Sequence, residues 1–181
     1  MSDTSRRSLL ALAAVGSAVA AASVAQAASS PSARPAGIRP GEGRVALVTG
    51  SSRSIGTATA KRLAAEGYAV TVNYLVSAGG RAIARQADVA DPAAVAALFD
   101  ANDQTFGGVD VVVNNAGIMN VGAFAQMDDA AFDRMIATNV KGSFNVLREA
   151  AKRTRDGGRI IRLSSSVTLQ RPPGGGVYAA T

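Results

Sequence analysis

The chain has 181 residues, 48% of them hydrophobic, which is enough to bury one core and sets a single folded domain as the expectation. It contains no Cys and no His. That excludes Ser-His-Asp and Cys-His nucleophiles, thiolate or imidazole metal sites and disulfides, and leaves acid–base work to Tyr, Lys, Asp or Glu. The net charge of +6 comes from scattered basic residues without interleaved aromatics, which points away from nucleic acid and suits an anionic cofactor.

In chain order, the first segment is Ser5-Arg6-Arg7-Ser8-Leu9-Leu10, which opens an Ala-rich stretch ending in Ala25-Gln26-Ala27. A basic pair, an apolar run and a small-x-small triplet resemble a twin-arginine signal, so residues 1–27 are expected to direct export of a folded protein to the periplasm. The alternative is an uncleaved tail on a cytoplasmic protein. The stretch is too rich in Ala and Ser for a stable membrane span. Residues 28–43, rich in Pro, Ser, Ala and Gly, read as a flexible linker, and the folded unit is expected over 44–181.

Arg44 to Thr49 is a short β-branched run of the kind buried on both faces of a parallel sheet. A turn from Gly50 to Gly56 follows, then a helix to about Glu66 stopped by Gly67, then a second strand from Ala69 to Tyr74. A third strand fits Arg81 to Gln86, yet only six residues precede it, and about six extended residues span ~20 Å, barely a return crossing. The expectation here is that the usual helix between strands two and three is lacking. The edge strand is then lost or antiparallel, or residues have been deleted. Asp91-Pro92 starts a helix running to about Asp100, and Val109 to Asn114 is a buried strand. Helical patterns cover Asp129 to Ala137 and Asn139 to Thr154, closing at Asp156-Gly157-Gly158, and Arg159 to Ser164 is the next strand. Alternating strands and helices predict an α/β fold with a doubly wound parallel sheet.

Several motifs fall on this frame. The strand–turn–helix at Thr49-Gly50-Ser51-Ser52-Arg53-Ser54-Ile55-Gly56 places unpaired N–H groups and the positive end of a helix dipole where a phosphate can sit. Asn114-Asn115-Ala116-Gly117 closes the fourth strand, and Ser165 stands thirteen residues before Tyr178. Together these resemble the short-chain dehydrogenase/reductase family, over Arg44 to Thr181. The resemblance implies a Rossmann-like, NAD(P)-dependent oxidoreductase that moves hydride between the cofactor and a carbonyl or alcohol. Full-length members form dimers or tetramers.

By that resemblance Gly50, Ser52, Arg53, Ser54, Ile55 and Gly56 cradle the pyrophosphate. Ser54 stands where the family pattern Thr-Gly-x-x-x-Gly-x-Gly has its middle glycine, which should weaken binding. Asp88-Val89 matches an adenine-contacting pair, and Asn115, Ala116 and Gly117 line the cofactor. The second strand ends at Asn73-Tyr74 without the carboxylate that would hold the ribose of NAD, and Arg53 could pair with a 2′-phosphate, so NADP is preferred over NAD. Asn139, Ser165 and Tyr178 match three members of the Asn-Ser-Tyr-Lys tetrad, with Ser166 the next choice after Ser165 and Ser164 third. Tyr178 would be the general acid/base. The lysine would fall at position 182, past the last residue given, so the sequence is expected to be a truncated member, incomplete at its C-terminal side. Its alternative reading is an inactive fragment that at most binds NADP(H). No metal site is expected.

Overall fold

The computed structural model describes residues 39–73 and 81–181. Two β-branched runs, β1 (Val45–Val48) and β2 (Ala69–Val72), are buried along their whole length, as the apolar pattern requires of central strands. They pair in parallel, Val45 opposite Ala69 and Val48 opposite Val72. β4 (Val109–Asn114) joins the other side of β1, and β3 (Ala82–Ala84) and β5 (Thr154–Arg162) complete a parallel sheet in the order β3-β2-β1-β4-β5. The chain moves outward from β1 in one direction and then returns to its other side at β4. That reversal opens a crevice at the carboxyl ends of β1 and β4, where ligands sit in such sheets.

Helices cover both faces. Helix α1 (Ser54–Ala65) packs on one, where Ala60 meets Ala46, Val48, Val70, Val111 and Val113. On the other, α2 (Pro92–Phe106) and α4 (Ser143–Arg153) bury Val95, Leu98, Phe99, Val146 and Ala150 against Leu47, Val109 and Val112. Asp91 caps α2 by accepting from the Ala93 N–H at 2.9 Å, with Pro92 in the first turn. Inside this face Thr71 Oγ1 donates to Asn102 Oδ1 at 2.8 Å, tying α2 to the underside of β2.

The structure departs from the sequence expectations in several places. Residues 39–43, which the composition groups with the linker, form a turn in which Gly41 N donates to Glu66 O. The third strand is neither lost nor antiparallel: β3 runs parallel to β2 with Val70 opposite Ala82. The lacking helix would fall on residues 74–80, outside those described, as do the proposed signal segment 1–27 and residues 28–38 of the linker. Helix α2 continues to Phe106 and is stopped by Gly107 with φ 75°, because nothing at Asp100 breaks the pattern.

The two expected helices at 129–154 are one continuous rod. Helix α3 (Asp129–Met135) passes through a π-helical turn, Ile136–Gly142, into α4 without interruption, since no proline falls between Asp129 and Arg153. The rod ends at Arg153, and β5 starts at once. The Asp156-Gly157-Gly158 stretch expected to end the helix lies within that strand, where a register shift opposite Val109–Val111 absorbs it. Ile160 and Ile161 of β5 are both exposed. No helix among the described residues is long and apolar enough to cross a membrane.

Candidate functional site

Where β1 ends, the backbone turns sharply and close to β4. Gly50 has φ +62°, and a Cβ there would stand 2.7 Å from Ala116 Cα, so only glycine fits. A Cβ on Gly56 would collide with the Gly50 carbonyl. The Thr49 hydroxyl accepts from the N–H groups of Asn115 and Ala116, both at 3.1 Å, and donates to Asn114 Oδ1 at 3.4 Å. In return Asn115 Nδ2 donates to the carbonyls of Thr49 (2.9 Å) and Gly50 (3.0 Å). The two motif-bearing segments are thus laced together through polar side chains.

Asn73 serves the same turn from the other side. Its Oδ1 accepts from Gly50 N at 2.9 Å, and its Nδ2 donates to Ala87 O at 2.7 Å. Both ends of the amide are committed within the protein, so this buried side chain acts as a strut. Asp88 closes a small turn by accepting from Ala90 N at 2.9 Å. Val89 is buried in the core beside Gly142, and its carbonyl accepts from Asn145 Nδ2 at 3.0 Å.

Helix α1 begins without side-chain help. Arg53 at its N-cap is extended and exposed and makes no capping bond, and the first turn carries no acidic residue. The N–H groups there remain available to an anion. Ser54 follows with φ +51°, a left-handed conformation that side chains resist. Ser52, Ser54 and Ile55 are exposed, while Ser51 is buried with its Oγ unpartnered among the described residues.

Beyond this turn lies a cavity of about 240 Å³ at the carboxyl ends of β4 and β5. Its lining brings together Ile55, Asn115, Ala116, Gly117, Asn139, Ser165 and Tyr178. Gly50, Ser52, Arg53, Ser54 and Gly56 lie in the turn that Ile55 shares with the cavity, and Asn73, Asp88 and Val89 do not line it. Asn139 sits in the π-helical turn, where its Oδ1 accepts from Ile118 N and its Nδ2 donates to Ile118 O, both at 2.8 Å. The same Nδ2 donates to Thr181 Oγ1 at 2.9 Å, and Thr181 Oγ1 donates to Tyr178 O at 2.9 Å. Asn139 therefore clamps the segment after β4 to the C-terminal helical turn α5 (Gly176–Ala179) that carries Tyr178.

Ser165 is half-buried, and its Oγ accepts from Val167 N at 3.3 Å. Of the other two serines, Ser164 lines the cavity and Ser166 does not. Thr49 and Asn114 stood in the quoted motifs without a role of their own, and Arg162 was not singled out from the sequence at all. The signal for Arg162 was a charge near the carboxyl end of an apolar strand. Arg162 Nη2 donates to Asn139 O at 3.4 Å, and its guanidinium is the one charged side chain in the lining.

A family model described as short chain dehydrogenase matches residues 44–181. The chain belongs to that family. Among its short-chain dehydrogenase relatives, an uncharacterized oxidoreductase of Methylorubrum extorquens is 40% identical over 153 residues, covering 77% of this chain and 62% of the relative. A short chain dehydrogenase from Burkholderia cenocepacia, solved in complex with NADP, superposes with a TM-score of 0.71 at 40% identity, over 77% of this chain and 62% of that one. A 3-ketoacyl-(acyl-carrier-protein) reductase from Brucella melitensis, complexed with NADH, gives 0.69 at 30% identity, over 77% and 64%. The chain spans about three-fifths of the length of the curated relatives it matches, 62%, 60% and 58% of the first three.

Proposed function

We propose that this short-chain dehydrogenase is an NADP-dependent oxidoreductase acting on a small carbonyl or alcohol substrate, with Tyr178 as general acid/base. The observation that carries the reading is the convergence of Asn139, Ser165 and Tyr178, far apart in sequence, on one cavity that reaches the start of α1 through Ile55. Because the chain spans three-fifths of its relatives, turnover is proposed for the whole protein and nucleotide binding for residues 44–181.

The residues at the turn fit a dinucleotide. The uncapped N–H groups of α1 suit a pyrophosphate, and the Gly50 backbone can approach it closely. The solved relatives hold either nicotinamide cofactor, so the choice falls to this chain's own side chains. At the end of β2, Asn73 offers no carboxylate for ribose hydroxyls, and its amide is already committed. Arg53 is exposed and makes no ion pair among the described residues at the helix start, where a 2′-phosphate could be met. Both favour NADP.

When bound, the nicotinamide supplies or accepts the hydride. The protein's part is to hold the substrate oxygen and move its proton. Ser165 donates a hydrogen bond to that oxygen, stabilising charge that develops on it. Tyr178 exchanges the proton, which at neutral pH requires a cation near its phenol, since a free tyrosine titrates near 10. Asn139 positions the turn carrying Tyr178 rather than touching substrate. NADPH oxidation with a panel of ketones tests this reading. Turnover that Tyr178→Phe abolishes without changing NADPH affinity supports it. Binding of NADPH without turnover by the whole protein makes the chain a nucleotide-binding module instead.

A further inference from the structure

Strands β4 and β5 end side by side, with Asn114 and Arg162 paired in register. Both line the cavity that Ser165 and Tyr178 share. None of the ion pairs among the described residues includes Arg162, and no Asp or Glu side chain lies in the lining. A guanidinium carries five N–H donors, and the bond to Asn139 O uses one.

Asn114 adds a second donor. The Thr49 hydroxyl already accepts two backbone N–H groups, so its own hydrogen goes to Asn114 Oδ1. This fixes the amide with Nδ2 as the outstanding donor. Asn114 is 3% exposed, and that Nδ2 is buried with no partner among the described residues. Such groups in native structures call for a missing ligand or water. A neighbouring cavity of about 410 Å³ shares Val167, Thr168 and Ala179 with the first, and its one charged residue is again an arginine, Arg171. Both cavities are therefore lined by a cationic side chain and by no Asp or Glu.

We propose that Asn114 and Arg162 form an anion-binding site, and that the substrate is a carbonyl compound carrying a carboxylate rather than a neutral ketone. The inference rests on the oxidoreductase reading above and specifies its substrate class. One carboxylate oxygen pair meets the guanidinium fork, Asn114 Nδ2 takes a remaining lone pair, and the carbonyl is left for Ser165 and Tyr178.

The test compares acetoacetate with its methyl ester, titrated calorimetrically into the whole chain with and without NADPH. Charge-assisted hydrogen bonds should favour the acid by roughly ten-fold or more. Arg162→Gln should bring the acid-to-ester ratio close to one, and Arg162→Lys should retain part of it. Arg159→Gln removes a charge from the same strand outside the cavity and should leave the ratio unchanged. Equal affinity for acid and ester, or a preference that survives Arg162→Gln, overturns the proposal. So does competition between acid and NADPH combined with a ten-fold loss of NADPH affinity in Arg162→Gln, because the anion site would then serve the cofactor. Failure of the wild-type chain to bind NADPH at all refutes the cofactor reading separately, and the titrations without nucleotide still decide the anion site.

Discussion

Ser54 offers the sharpest test of how the turn is built. Its φ of +51° places a side chain in the left-handed region, at the position where the family's pattern has glycine. The steric cost of a Cβ in that conformation is about 1–2 kcal/mol. Replacing the serine by glycine removes it but adds unfolded-state entropy of about 0.5–1 kcal/mol. The net expectation for Ser54→Gly is a gain of about 0.5–1 kcal/mol, visible as a rise in Tm of roughly 1–4 °C. Asn tolerates this conformation better than serine, and a β-branched residue tolerates it worst, so stability should fall in the order Gly, Asn, Ser, Val. Thermal melts followed by circular dichroism on the four proteins decide the matter. Ser54→Gly melting at or below the wild-type temperature, or Ser54→Val as stable as wild type, would show that the turn is not strained as described. Because the side chain stands at the start of α1, the glycine variant should also bind NADPH more tightly.

Two further outcomes follow from the hydrogen bonds. Thr49→Val keeps the side-chain shape but leaves the Asn115 and Ala116 N–H groups without an acceptor, which should cost about 2–4 kcal/mol in a urea melt; a cost below about 1 kcal/mol would mean water replaces the hydroxyl. The Glu149 carboxyl is held below the usual carboxylate range, chiefly by its hydrogen bond from Lys152 and further by the Lys152 and Arg153 charges, against the opposing effect of burial. A depressed folded value means that its stabilisation is complete above the unfolded value of about 4.3 and is lost as pH falls through the folded one. Glu149→Gln should therefore cost about 1.5–3 kcal/mol at neutral pH, with the gap to wild type closing below about pH 4. A gap that stays constant with pH would rule out the ion pairs as its source.

Much of this fold was legible because its signals are local. The β-branched runs at Val45–Val48 and Val109–Asn114, the Asp91-Pro92 helix start and the glycine turn after β1 each follow from residues adjacent in sequence. The spacing of Ser165 and Tyr178, read through the family resemblance, brought both to the same cavity. What escaped depends on distant partners. The rod from Asp129 to Arg153 looks like two helices because its periodicity shifts at residue 138, which a π-helical turn accommodates without breaking the chain. The glycines at 157 and 158 read as a helix stop, yet pairing with β4 draws them into β5. Asn73 stood at the cofactor end of the second strand, but its amide is consumed by Gly50 and Ala87, two partners that only the folded sheet brings near. Arg162 could be placed in the cavity only once β5 was set in register with Asn114.

The central claim, that residues 44–181 form an NADP site at the turn after β1, is tested most directly by fluorescence titration of the chain with NADPH and NADH, in wild type and Arg53→Gln. The account predicts saturable binding of NADPH at least about ten-fold tighter than NADH, with Arg53→Gln erasing the difference by weakening NADPH alone. Absence of saturable binding, or NADH bound as tightly as NADPH by the wild type, would contradict it.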